Sequence, residues 1–148
     1  MAKIKTGMES EFLGRVVVID ASVLVKMFLG ENGGELVRKL FRLTNAYKLT
    51  IFAPFLLRYE LLNILSRKVE DIDRVSKMFE VFNRLKIGFL DASDDYFKKA
   101  LNEVWFDPKI SFYDASYAAL AKEYSGIFLT ADKKYYERAK GVVEMVLI

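Results

Sequence analysis

Two kinds of apolar pattern alternate along this chain. Short unbroken runs rich in β-branched residues recur, and between them lie longer stretches whose apolar positions fall at helical spacing. Residues 16–19, Val-Val-Val-Ile, form the first short run and read as a strand covered on both faces. Residues 22–29 turn helical, glycines at 30, 33 and 34 interrupt, and 35–46 forms an amphipathic helix. A short strand over 50–53 follows, and Pro54 stands where a helix would begin, its fixed φ suiting a first turn. Helices are expected over 55–68 and 72–85, and a strand over 86–90. Ser93 and Ser111 can each cap a helix, the first reaching to about residue 104 and the second covering 112–124, with Gly126 ending the latter. A strand over 127–129, a helix over 132–139 and a strand over 142–147 complete the pattern.

Strands alternating with helices imply an α/β protein, a three-layer α/β/α arrangement around a central, mainly parallel sheet. The 148 residues contain no repeat, low-complexity tract or Pro/Gly-rich linker, so one domain is expected. It occupies residues 16–148, and residues 1–15 form an N-terminal extension expected to be flexible. No apolar run approaches the roughly 18 residues of a membrane helix, and the first residues are polar and charged. The expected compartment is therefore the cytoplasm, with no membrane partner. Apolar residues reach 53% with a positive mean hydropathy, which fits either a dense core or an apolar face covered by a partner or a second copy.

Two absences restrict the chemistry. There is no cysteine, so disulfides and thiolate metal sites are excluded. There is no histidine, so Ser-His-Asp and Cys-His catalysis and the usual zinc sites are excluded too. Acid–base or metal chemistry must run on carboxylates, Lys, Tyr or bound water. A net charge of +3 is compatible with a polyanionic partner without requiring one.

The carboxylates fall in informative places. Asp20 ends the first strand, Asp132 follows the strand at 127–129, and Asp114 lies in the first turn of the 112–124 helix. Open α/β sheets bind ligands outside the carboxyl ends of their strands, so these acids can meet in one crevice. Each can also be a helix cap, although Ser22 and Thr130 stand ready to cap beside Asp20 and Asp132. Glu60 sits in a helix that is apolar on most of its circumference, where a lone carboxylate is costly unless paired or bound to a cation. Asn63, three residues on, shares its stripe; a surface stripe with an ion pair to Arg67 is the alternative. Four carboxylates in one crevice repel, and a divalent cation removes the conflict. Oxygen-only ligands favour Mg²⁺ or Mn²⁺. The aromatic and alanine pattern around Asp114, Tyr117 included, reads as core.

Four segments in order carry a family resemblance: Val18-Ile19-Asp20-Ala21-Ser22; Pro54 with Glu60 and Asn63; Ser111-x-Tyr113-Asp114-Ala115-x-Tyr117-x-Ala119-Leu120-Ala121; and Leu129-Thr130-x-Asp132. Together they resemble the PIN-domain nucleases, particularly the VapC-type toxins, over nearly all of residues 16–148. The resemblance implies a metal-dependent endoribonuclease using one or two Mg²⁺ or Mn²⁺ ions, with Asp20, Glu60, Asp114 and Asp132 as catalytic metal ligands. Ser22, Asn63 and Thr130 would support them. It further implies cleavage leaving a 5′-phosphate and a 3′-hydroxyl, a homodimer, and a small antitoxin that blocks the cleft. Lys26, Arg58, Lys133 and Lys134 are candidate RNA phosphate contacts, each equally readable as a solvated surface charge. Two rival readings are weighed. A haloacid-dehalogenase-like phosphatase needs a second Asp two residues after the first, where this chain has Ser22. A non-catalytic PIN-like RNA- or protein-binding module predicts a broken acidic set, and this set is intact.

Overall fold

The computed structural model describes residues 7–90 and 93–148. Its strands are β1 (Val16–Ile19), β2 (Thr50–Pro54), β3 (Gly88–Leu90), β4 (Ile127–Thr130) and β5 (Met145–Leu147). They form one all-parallel sheet in the order β3-β2-β1-β4-β5. The helices are α1 (Ala21–Leu29), α2 (Gly34–Asn45), α3 (Leu56–Lys68), α4 (Ile72–Arg84), α5 (Asp94–Phe106), α6 (Phe112–Glu123) and α7 (Lys133–Ala139). Parallel neighbours require crossovers, and crossover handedness sets the layers. The chain steps from β1 to β2 to β3, then returns to the other side of β1 for β4 and β5. Right-handed connections therefore place α1 to α4 over one face and α5 to α7 over the other. The packing agrees: α1 lies against α2 and α3, and α3 against α4, whereas α6 lies against α5 and across β1, β2 and β4. This is the expected three-layer α/β/α fold.

Doubly covered strands should be uniformly apolar; β1 is, and β4 is up to its last residue, Thr130. Val17, Val18, Ile19, Ile127, Phe128 and Leu129 are all buried. Ahead of β1, Met8–Phe12 forms a short 3-10 helix that sinks Phe12 completely into the core. Among the described residues no helix is long and apolar enough to cross a membrane.

Four local expectations are corrected. Pro54 closes β2 rather than opening a helix, and α3 begins at Leu56. The β1 pairing has already ended at Phe52, so Pro54 is paired only with Leu90 of β3 and its missing N–H spoils no β1 bond. Ser125, not Gly126, takes the left-handed conformation after α6, with φ of 48°. Gly126 is needed for closeness instead, since a Cβ there would sit 2.8 Å from the Val16 carbonyl oxygen. The last strand starts at Met145, because the chain first turns with Val142 N–H bonded to the Ala139 carbonyl. Finally, α3 is less buried than its apolar composition suggests. Only the row Leu57, Leu61 and Leu65 is buried, and Tyr59 is 77% exposed.

Candidate active site

The strand order reverses at β1, and the crevice outside the carboxyl ends of β1 and β4 lies at that switch point. Asp20 leaves β1 in an extended conformation and caps α1, its carboxylate accepting from Val23 N–H at 3.3 Å. The Ser22 hydroxyl donates to one of its oxygens, and the Thr130 hydroxyl, from the end of β4, donates to the other. These two hydroxyls accept in turn from backbone N–H groups, Ser22 from Ala131 at 2.9 Å and Thr130 from Asp132 at 3.1 Å. A hydroxyl has one proton, so both spend theirs on Asp20 and orient its carboxylate as an acceptor.

The remaining acids come from helices. Asp132 caps α7, accepting from Tyr135 N–H at 3.0 Å. Asp114 lies in the first turn of α6, where the Ser111 hydroxyl accepts from its N–H at 3.1 Å. Glu60, on α3, accepts from the Tyr117 hydroxyl of α6 at 2.5 Å. Asp20, Glu60, Asp114 and Asp132, with Ser22 and Asn63, line one cleft of about 220 Å³, and among the described residues no Lys or Arg lines it. The cap reading and the site reading of Asp20 and Asp132 thus hold together. Ser22 and Thr130 do not replace them as caps but hydrogen-bond to the Asp20 carboxylate.

Electrostatics follow from this crowding. Burial pushes the Asp20 carboxyl up to about 6, against the pull of its Ser22, Thr130 and Val23 hydrogen bonds, and the charge of Asp114 adds to the rise. Burial raises Glu60 above the ordinary carboxylate range as well; the Tyr117 hydrogen bond opposes this, while Asp114 and Asp20 reinforce it. Asp114 is raised first by burial and further by Asp132, with Ser111 and Arg138 opposing.

Hard oxygen donors around a cleft with no cationic side chain suit Mg²⁺ or Mn²⁺. Among the described residues, however, no three acidic side chains are gathered closely enough, as they stand, to hold an ion. Convergence on one ion would require side-chain rotation within the cleft. The donor chemistry itself fits a divalent cation.

The four basic candidates lie outside the cleft lining. Lys133 and Lys134 open α7 directly after Asp132 and are exposed. Lys26 lies 3.9 Å from Glu31, and the Arg58 guanidinium stacks 4.6 Å above the Phe89 ring. Arg58 is thereby committed to packing beside the edge strand. Tyr117 is the functional candidate that the sequence pattern hid. It stands one helical turn after Asp114, and only that spacing hinted that its hydroxyl faces the acids.

A parallel α/β/α domain with four carboxylates in the cleft at its switch point defines the class of protein. More particularly, the chain belongs to the PIN domain family, which matches it over residues 17–141. The structure resembles VapBC2 from Rickettsia felis, solved bound to a DNA fragment from its promoter, with TM-score 0.66 and 15% identity over 89% of this chain and 98% of that one. It also resembles a toxin–antitoxin complex from Klebsiella pneumoniae, with TM-score 0.65 and 13% identity over 88% and 95% of the two chains. A third likeness is to VapC20 from Mycobacterium tuberculosis, a toxin that cleaves the sarcin–ricin loop, with TM-score 0.63 and 15% identity over 86% and 97%. At such identities the likeness is one of fold. No curated protein matches the sequence.

Proposed function

We propose that this protein is a Mg²⁺- or Mn²⁺-dependent endoribonuclease, the toxin of a toxin–antitoxin pair, working as a homodimer. The carrying observation is the cleft lined by four carboxylates and, among the described residues, by no Lys or Arg. Such a cleft repels a phosphodiester unless a cation enters first. Asp20, Glu60 and Asp114 hold the ion, and Asp132 completes the set or holds a second one. The ion supplies a polarised phosphate and a more acidic water. The chain's own part is to fix the ligands: Ser22 and Thr130 pin both oxygens of Asp20, and Asn63 adds a neutral amide beside Glu60. Lys133 and Lys134, adjoining Asp132 on the exposed start of α7, meet the flanking phosphates.

The test is cleavage of single-stranded and hairpin RNA by the purified chain. Cleavage is expected with millimolar Mn²⁺ or Mg²⁺ and none with EDTA. Mn²⁺ should also raise the melting temperature by roughly 5–10 °C, because an ion at a hundredfold its Kd stabilises by about 2.7 kcal/mol. Absence of both effects refutes the reading.

The antitoxin has a suitable berth. A groove of about 460 Å³ between α1, α2 and α4 has Phe28, Phe41 and Met78 in its wall, with Arg38, Arg42, Arg74 and Lys77 beside them. An amphipathic segment carrying apolar residues and carboxylates is its complement. Val81, in the same groove wall and 49% exposed, is a safer probe than buried Met78: Val81→Asp should abolish co-purification with the antitoxin while leaving RNA cleavage intact, and retained co-purification rules the groove out.

A further inference from the structure

Tyr117 is the most deeply buried phenol of the molecule that meets an acid of the cleft. It is 1% exposed, and its hydroxyl donates to Glu60 Oε2 at 2.5 Å. The ring cannot swing away. It stacks on Phe128 of β4 with centroids 5.9 Å apart and planes within 4°. Phe128 in turn meets Tyr135 edge-on at 5.5 Å, and the Tyr135 hydroxyl donates to the Asp114 carbonyl at 2.8 Å. A row of three rings thus ends at both sides on the acid-bearing helices: on the side chain of Glu60 from α3, and on the backbone of Asp114 in α6.

We propose that Tyr117 is a positioning residue for Glu60, its hydroxyl holding one carboxylate oxygen so that the other is presented to the divalent ion. Three features support this. The bond spans two helices, so it sets the distance of the Glu60 carboxylate from the residues of α6. It lies one turn from Asp114 on the same helix, so a single element both carries one ligand and aims another. And α3 secures Glu60 poorly by itself, since only one of its rows is buried and its neighbours Tyr59 and Asn63 are exposed. Groups that orient metal ligands in this way typically change metal affinity or activity by about 10–100-fold when removed.

The role rests on the metal-dependent reading above, and the experiment separates the two. Mn²⁺ binding is measured by calorimetry on the wild-type chain, Tyr117→Phe and Tyr96→Phe. Tyr96 is the matched control: a buried phenol donating to the Ser116 carbonyl at 2.6 Å, with no carboxylate partner there. Tyr117→Phe keeps the ring stack and should weaken Mn²⁺ about tenfold. RNA cleavage should then need about ten times more Mn²⁺ for half its maximum, with the rate at saturating Mn²⁺ within a few-fold of wild type. Tyr96→Phe should lose stability without losing Mn²⁺ affinity. Unchanged Mn²⁺ affinity in Tyr117→Phe, or an equal loss in both variants, overturns the positioning role alone. A wild-type chain that binds no Mn²⁺ overturns the metal reading and this role with it.

Discussion

Asp20→Asn is expected to lower RNA cleavage by about 1000-fold or more, some 4 kcal/mol in the barrier, in a protein that still folds. Asp20 is the most enclosed of the four acids and the one held from three sides, by Ser22, Thr130 and the Val23 N–H. Asparagine replaces one acceptor oxygen with a donor NH₂, so one of the two hydroxyls loses its acceptor. That costs about 1 kcal/mol, offset by removal of a buried charge. The cap to Val23 can be kept by the remaining oxygen. Circular dichroism melting should therefore place the variant within a few degrees of wild type, while gel assays show RNA left intact. Metal-dependent cleavage that survives the substitution would sink the assigned role.

The second large effect concerns pH. Without metal, the folded pKa of Asp20 lies at about 6, above its ordinary 3.8. The native state then holds a proton that the unfolded chain has released, so stability falls as pH rises through the interval between those values. For Asp20 alone the loss amounts to roughly 3 kcal/mol, and Glu60 and Asp114 act in the same direction. Exposed Glu35 and Glu137 are shifted the other way and complicate an absolute profile. The clean observable is the difference between wild type and Asp20→Asn. In urea titrations with EDTA, wild type should lose ground against the variant between pH 4 and pH 7. Adding Mn²⁺ should reverse that trend, because ionised carboxylates bind the cation more tightly. A difference that stays flat across this range contradicts the buried, crowded carboxylate.

Much of this was legible in the residue order. The run Val-Val-Val-Ile ahead of Asp20 marked a buried strand and its carboxyl end, which is where parallel sheets place ligands. Asp132 and Asp114 could be set beside it for the same reason. The expectation that Glu60 lies in one cleft with Asp20 agrees with the structure, but by an argument the structure amends. Its helix is less buried than its composition suggests, and what holds Glu60 is a phenol from another helix. That partner could not be read from the chain, because Tyr117 looks like any core aromatic until α6 is laid across the sheet. Pro54 misled for a related reason. The sequence shows a proline but not which side of its strand still needs an N–H. The basic residues were least legible, since long side chains on helices settle locally, as Arg58 does on Phe89.

The hydroxyl of Thr130 reaches Asp20 across a separation of 110 residues, and the Ala131 N–H reaches Ser22 across 109. A chain still being synthesised that ends before β4 therefore contains Asp20, Glu60 and Asp114 yet lacks the strand that pins the first of them and the ring on which Tyr117 rests. The acidic cleft is completed only by residues 127–148. On the ribonuclease reading proposed above, a nascent chain therefore stays unarmed until these residues have been made.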